Sequence, residues 1–462
     1  MENAPVGDWS AIESEFDSLC DQLVRFRLQD ISPQALENAL FSFVDTIGVG
    51  IAGAKTQTAE RVRKWLMESY RHDGCRIFGS SLSLPTAGAA FANAASCHAL
   101  DYDDTCYDGI VHASTAALPA AFAASETFQC SGQCLFESYI VGCQAAVEIG
   151  RILSDAFYQR GWFNTAILGA IAAAAASVYA RGGTQAEMRA ALALCLTDIG
   201  ATRSVLGVEA KPFLLGKAVE DGVRFADIVA LGFSVPDRPW LHPFGFVSTK
   251  LQLIPRVPHP RSGALCFEAP GMALKLFPVC SAAQSATECL RDLLVEERIE
   301  ASAIRSIHVG ATQLVVDSLR YSLPRTTQEA QFSMPFALAC ILRHGQLGPS
   351  ELDIDKLSDP ALHSFMQSIS LATDPALETA RERADQAPEA ARLTITMHDG
   401  DVVEAVHSAA SGMPSNPFSV QQLRQKFLDN CAFAALSSRR GELLFEQCLH
   451  IAEIEHPSVL PI

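Results

Sequence analysis

Apolar residues recur at three- and four-residue steps from Glu15 to Met67, through Leu23, Phe26, Leu36, Leu40, Phe43, Val44 and Ile47. This is the period of helices that bury one face. The same pattern predicts helices over 84–100, 115–127, 135–154, 165–181, 185–197 and 217–233. Alanine and glycine are frequent in these segments, and small side chains let helices approach closely, so this half reads as an all-α domain with a large interior. In FVDTIGVGIAGA, Gly48, Gly50 and Gly53 are expected to mark close helix-to-helix contact, at a cost in helix propensity.

The pattern changes after Phe233, where SVPDRPWLHPFGF and then IPRVPHPRSG crowd prolines and glycines into a connection that no helix can cross. A domain boundary is expected there. Beyond it, AIRSIHVGATQL (303–314) alternates like a strand, and ARLTITMHDGDVVEAVHSAA reads as a hairpin turning at Asp399-Gly400. Helical stretches at 284–295 and 329–342 lie between them, so 265–412 reads as a smaller α+β domain. The last fifty or so residues return to helix, in SVQQLRQKFLDNCAFA and GELLFEQCLHIAEI.

Composition narrows the function. With 462 residues, 49% of them hydrophobic, the chain can bury a large core, which excludes a disordered or fibrous protein. A net charge of −17 makes neither nucleic acid nor an anionic membrane surface an attractive partner, so an anionic ligand needs a local cationic pocket. The fourteen cysteines include no CxxC pair, and Cys130 and Cys134 have no second His/Cys cluster downstream. Free thiols in a reducing compartment are expected. MENAPVGDWSAIESEF lacks a basic segment followed by an apolar one, and a cytoplasmic protein is expected. The longest apolar stretch, 165–180, falls short of the roughly 20 residues that span a bilayer and reads as a buried helix.

The densest polar cluster is His98-Ala-Leu-Asp101-Tyr-Asp103-Asp104-Thr105, followed by His112-Ala-Ser114-Thr115. Carboxylates, a hydroxyl and two imidazoles between alanine-rich helices can form a buried acid/base site, or can cap helices and satisfy one another. No metal is expected, because DxDD lacks the glycine and distal glutamate of a calcium loop and no HxxxH or HxxE pair lies nearby. Lys211 and Lys217, in VEAKPFLLGK, sit where a loop enters a helix and could hold a carboxylate or remain solvated. No nucleotide cofactor is expected, since neither GxxxxGK[ST] nor a strand-following GxGxxG is present. In Lys275-Leu-Phe-Pro-Val-Cys280-Ser281-Ala-Ala-Gln284, Cys280, Ser281 and Gln284 lie at a helix start that could bind an anion or present a thiol.

Together these segments resemble the MmgE/PrpD family, which includes 2-methylcitrate dehydratases, cis-aconitate decarboxylases and an iminodisuccinate epimerase. FVDTIGVGIAG, GAAFANAASCHALDYDDT with HAST, GWFNTAILGAIAAAAA, AKPFLLGKAVEDGVRFADIVALGF and LKLFPVCSAAQSA carry the resemblance, in family order over nearly the whole chain. It implies a mainly α fold: a large helical domain from both chain ends, 1–264 and 413–462, with 265–412 as an α+β lid. It also implies a homodimer and a cofactor-free reaction on a small di- or tricarboxylate. The family's active-site aspartate, threonine and histidine fall on Asp101, Thr105 and His112, and its carboxylate-binding lysine on Lys211.

Other positions depart from the family. Its G-[FW]-H-x-T appears as Gly161-Trp162-Phe163-Asn164-Thr165, Cys280 and Gln284 stand where relatives often carry histidine, Phe336 stands for a frequent tyrosine, and Ala113 follows His112. The expected activity is therefore a lyase on a citrate- or aconitate-like acid, dehydration ranked ahead of decarboxylation. His112, Asp101 and Lys211 would be catalytic, with Thr105, Asn164, Lys275, Cys280 and Gln284 contacting substrate. Phenylalanine at 163 and 336 would suit an alkyl-substituted citrate. An isomerase or epimerase, or a carboxylate-binding homologue without turnover, are the competing readings.

Overall fold

Helices dominate the first half, and small residues decide how they pack. In the computed structural model, which describes residues 9–198, 200–251, 264–382 and 387–462, they run Ile12–Arg25, Pro33–Gly53, Gln57–Ser69, Thr86–His98, Ser114–Phe128, Gly132–Gln159, Asn164–Ala180, Gln185–Thr197 and Ala210–Val229. The connection IPRVPHPRSG and the first eight residues lie outside the described residues. The Pro33–Gly53 helix is long and apolar enough to cross a membrane by length and composition, a length the sequence pattern assigned to no segment; most of it is buried inside the fold. All fourteen cysteines are unpaired.

One expected boundary shifts. The helix predicted over 217–233 begins at Ala210, because Pro212 falls in its first turn, where a missing N–H costs nothing. It ends at Val229, shortly before Gly232 at φ +76°. Lys217 is therefore well inside the helix, exposed and paired with Asp221 one turn on, while Lys211 remains in the first turn.

The three glycines of the Pro33–Gly53 helix make the expected close contacts. A Cβ on Gly48 would lie 2.8 Å from the Phe427 ring, one on Gly50 2.7 Å from Cys97 Sγ, and one on Gly53 1.9 Å from the Ser96 carbonyl oxygen. The last contact is backbone and cannot give way by a side-chain rotation. Gly53→Ala is expected to push apart the two helices that meet there and to destabilise the protein by ~1–3 kcal/mol or more, read by chemical or thermal denaturation. An unchanged midpoint would mean that the helices do not meet there.

The C-terminal helices Val420–Phe433 and Ser438–Leu449 return to this first core, where Phe427 stacks edge-on with Phe445 at 5.5 Å. Lys426 Nζ reaches the buried Asp45 at 2.7 Å and donates to the Tyr102 carbonyl at 3.2 Å, which ties this end of the chain beneath the polar loop after His98.

A second apolar core surrounds a four-stranded sheet in the order Ile369–Thr373, Ile304–Ala311, Ala391–Met397, Val402–His407. The last three strands pair antiparallel, with the expected hairpin between Ala391–Met397 and Val402–His407. The sequence reading missed Ile369–Thr373, an edge strand parallel to Ile304–Ala311, because its residues lack a clean alternation. The helix expected over 329–342 is two, Thr327–Ala330 and Met334–His344, since Ser333 caps the second by accepting from the Phe336 N–H at 3.1 Å and Pro335 starts it. The chain is mainly α with a smaller α+β region.

Candidate active site

The loop between Thr86–His98 and Ser114–Phe128 carries the densest polar cluster, and its shape is set by backbone pairing. Thr105 exchanges both backbone hydrogen bonds with Ala273 at 2.9 and 2.8 Å, and Cys106 does the same with Val111, so the chain doubles back and sets His112 beside Thr105. Asp101 adopts φ +50°, a left-handed backbone conformation that aspartate tolerates better than most residues.

Asp101 sits between two ammonium groups. Lys211 Nζ lies 2.6 Å from its Oδ1, and Lys275 Nζ lies 3.2 Å from its Oδ2 and 2.7 Å from its carbonyl oxygen, all buried. Burial alone would raise its pKa, but the two lysines outweigh burial and hold the carboxylate below the usual range. Lys275 is raised in turn: burial opposes its charge, and Asp101 and Asp103 more than compensate.

His112 is 14% exposed in its side chain and faces the cavity. Its Nδ1 is 2.7 Å from the Asp104 carbonyl oxygen, 3.4 Å from Asp103 Oδ2 and 3.4 Å from Thr105 Oγ1. A carbonyl can only accept, so the neutral ring carries its proton on Nδ1 and leaves Nε2 with the lone pair. Burial pushes its pKa down to about 3, with Asp103 opposing and Lys275 adding to the shift. His98 packs edge-on against His112 at 4.9 Å and donates from Nδ1 to Asp103 Oδ2 at 2.6 Å. Burial lowers the His98 pKa, so this ring is neutral.

His98, Asp103 and His112 place three possible metal-ligand atoms within 4.8 Å of one another. In this structure both Nδ1 atoms are turned to hydrogen-bond acceptors, His98 toward Asp103 and His112 toward the Asp104 carbonyl. The cationic work beside Asp101 falls to the two lysines.

Asp104 points away from this group, accepting from the Ser114 hydroxyl, which also meets Tyr139 OH at 2.7 Å. Burial raises its pKa to about 7. The unfolded carboxyl ionises near 3.8, so between about pH 4 and pH 7 the unfolded state releases a proton that the folded state keeps, and folding becomes steadily less favourable. Asp104→Asn is expected to raise the melting temperature at pH 8 and to leave it nearly unchanged at pH 4. An equal effect at both pH values would contradict a buried, protonated Asp104.

These groups open onto a common cavity. Asp101, Thr105, His112, Lys211 and Cys280 line it together; Asn164, Lys275 and Gln284 do not. Asn164 Nδ2 donates to the Gly109 carbonyl at 2.6 Å and holds the loop that returns to His112. Gln284 spends both ends of its amide on backbone, accepting from the N–H groups of Leu276 and Phe277 and donating to the carbonyls of Phe277 and Val279. It therefore fixes the segment that carries Lys275. Burial pushes the Cys280 thiol up to about 11, so it stays protonated.

Of the two phenylalanines expected to stand where relatives carry polar residues, Phe163 lines the cavity and stacks on His98 at 6.1 Å. Phe336 is fully buried in the second core. Ser281, at the helix start singled out with Cys280, lines the cavity, as do Tyr107, Tyr158, Thr165, Phe332 and Glu389, to which the sequence reading gave no role. Tyr107 lies between the two halves of the polar cluster and was within reach of that reading. Glu389 lies in QAPEAARL, which has the look of a solvated loop.

A buried carboxylate clamped by two lysines thus lies beside an imidazole with one free ring nitrogen, and both face one cavity. Residues 17–252 match the MmgE/PrpD N-terminal domain and 277–451 the MmgE/PrpD C-terminal domain, and the chain belongs to this family. It is similar to the cis-aconitate decarboxylase of Homo sapiens, 22% identical over 467 residues that cover 97% of this chain and 94% of that one. The Mus musculus cis-aconitate decarboxylase is also 22% identical, over 97% of this chain and 93% of its own. That of Aspergillus terreus is 29% identical over 41% of this chain and 39% of its own.

Proposed function

We propose that this protein is a cofactor-independent lyase that decarboxylates a cis-aconitate-like tricarboxylate. The observation that carries the reading is the pairing of His112, its Nδ1 pinned and its Nε2 free, with Lys211 on the wall of one cavity. Full-length similarity to cis-aconitate decarboxylases supports the substrate class.

The order of events follows from charge. Lys211 and Thr105 receive one carboxylate of the substrate, and the arriving anion raises the imidazole pKa and brings a proton to Nε2. Loss of CO2 breaks a C–C bond and leaves its electron pair on carbon. That carbon takes the Nε2 proton, and solvent restores it. Apolar side chains of Phe163, Leu206, Val315 and Phe332 line the same space and remove water from the departing carboxylate. Elimination of water from a citrate would use the same Nε2 unprotonated, as a base, which the low pKa of the unliganded ring allows equally. The full-length similarity to cis-aconitate decarboxylases supports decarboxylation over the dehydration favoured from sequence.

Lys275 and Asp101 are assigned to positioning Lys211, and Asn164 and Gln284 to positioning the loop and the Lys275 segment. The division into 1–264 with 413–462 and 265–412, the homodimer and the cytoplasmic location belong to the same proposal and rest on the family resemblance. Phe163 supports an alkyl-bearing substrate as a second reading. The test is CO2 release from cis-aconitate, citrate and 2-methylcitrate by the purified protein. Release from cis-aconitate is expected, and release from none of them would overturn the reading.

A further inference from the structure

Glu389 is 1% exposed, and neither of its carboxyl oxygens is in hydrogen-bond geometry with any protein group among the described residues, yet it lines the same cavity as His112 and Lys211. It reaches the cavity from the segment leading into Ala391–Met397, not from the loop that carries the other polar groups. That segment is held in place: Thr312 Oγ1 donates to the Pro388 carbonyl at 2.8 Å, the Ala390 N–H to Ala387 O at 3.1 Å, and the Ala387 N–H to Ser408 O at 3.3 Å. The buried Tyr107 hydroxyl, close to both Glu389 and Ser281, and Ser281 itself line the cavity with it.

We propose that Glu389, protonated and flanked by the hydroxyls of Tyr107 and Ser281, forms a second carboxylate subsite, a set of neutral hydrogen-bond donors that holds a substrate carboxylate other than the one at Lys211. The inference rests on the tricarboxylate reading above and extends it to how the acid is oriented. A buried polar group left without a partner is costly, and a carboxyl next to a carboxylate is tolerable only if it keeps its proton and donates.

The surroundings support this protonation state. Burial raises the Glu389 pKa to about 7, with its own N–H, the Tyr107 hydroxyl and the Ala410 N–H close enough to offset burial only in part. The groups that face it do not titrate near there: Tyr107 is pushed well above its usual value, chiefly by burial, and Cys280 to about 11. Asp101, Lys211, Tyr158 and the neutral His112 complete the titratable lining of the cavity, and a proton that His112 takes up with the ligand is common to the wild type and Glu389→Gln. Protonated Glu389 donates to the ligand, and ionised Glu389 repels it. A lysine there would hold the carboxylate more tightly; a neutral donor holds it in a way that pH can release.

The test is calorimetric affinity for a saturated tricarboxylate, tricarballylate, between pH 6 and 9 in the wild type, Glu389→Gln and Glu389→Leu. Above about pH 7 the wild-type affinity is expected to fall by an extra factor of about ten per pH unit relative to Glu389→Gln, whose amide still donates but cannot ionise. Glu389→Leu, lacking any donor, is expected to bind more weakly than Glu389→Gln at every pH. Wild type and Glu389→Gln falling in parallel would overturn the subsite. Binding with the predicted pH difference but no CO2 from cis-aconitate would overturn the decarboxylase reading and leave the subsite standing. No binding of any tricarboxylate by the wild type would overturn both.

Discussion

Lys211→Met is expected to lower turnover by about two to three orders of magnitude and to destabilise the protein, two losses with one electrostatic origin. Lys211 and Asp101 are 4% and 2% exposed in their side chains and 2.6 Å apart, so removing the ammonium leaves a buried carboxylate held by Lys275 alone. Breaking a buried pair by removing one partner costs about 3–5 kcal/mol, and the remaining lysine puts the expected loss at the lower end. Removing one preorganised charge from a reacting anion typically costs ~10²- to 10³-fold in rate. Asp101→Asn placed in the Lys211→Met background would in turn strand the buried Lys275 ammonium, with Asp103 as its remaining anionic neighbour, so the double variant is expected to recover neither stability nor activity. Recovery of both would mean that Lys211 serves the fold alone.

The second large effect is on the proton. His112→Ala is expected to lower kcat by ~10²- to 10⁴-fold, the usual contribution of one positioned acid/base group, with a much smaller change in KM because Lys211 and Thr105 still hold the acid. The histidines at 98 and 112 are not equivalent. His98 is fully enclosed and hydrogen-bonded to Asp103, whereas His112 alone opens to the cavity. His98→Gln is therefore expected to act mainly through stability. Turnover by His112→Ala at the wild-type rate would remove the imidazole from the chemistry.

Much of this was legible in the chain. The three- and four-residue spacing and the alanine-rich segments gave the helical half, Asp399-Gly400 gave the hairpin, and HALDYDDT with HAST concentrated the polar residues of one loop. The edge strand Ile369–Thr373 was not visible, since pairing with Ile304–Ala311 is a tertiary contact and its residues alternate weakly. Asn164, Lys275 and Gln284 were expected at the substrate. Their types suit that role, but the amides are committed to backbone and the ammonium to Asp101, which no spacing reveals. Glu389 was missed for the opposite reason: its local sequence is that of a surface loop, and only the packing of the segment before Ala391–Met397 buries it.

If this site moves a proton to carbon as CO2 leaves, proton NMR of cis-aconitate turned over by the wild-type protein in D₂O will record where that proton goes. The expected product is a five-carbon unsaturated dicarboxylate carrying one solvent deuterium on carbon, formed with one CO2 per molecule. Deuterium entering an intact six-carbon skeleton, or an unchanged spectrum from a protein that still binds the acid, would contradict it.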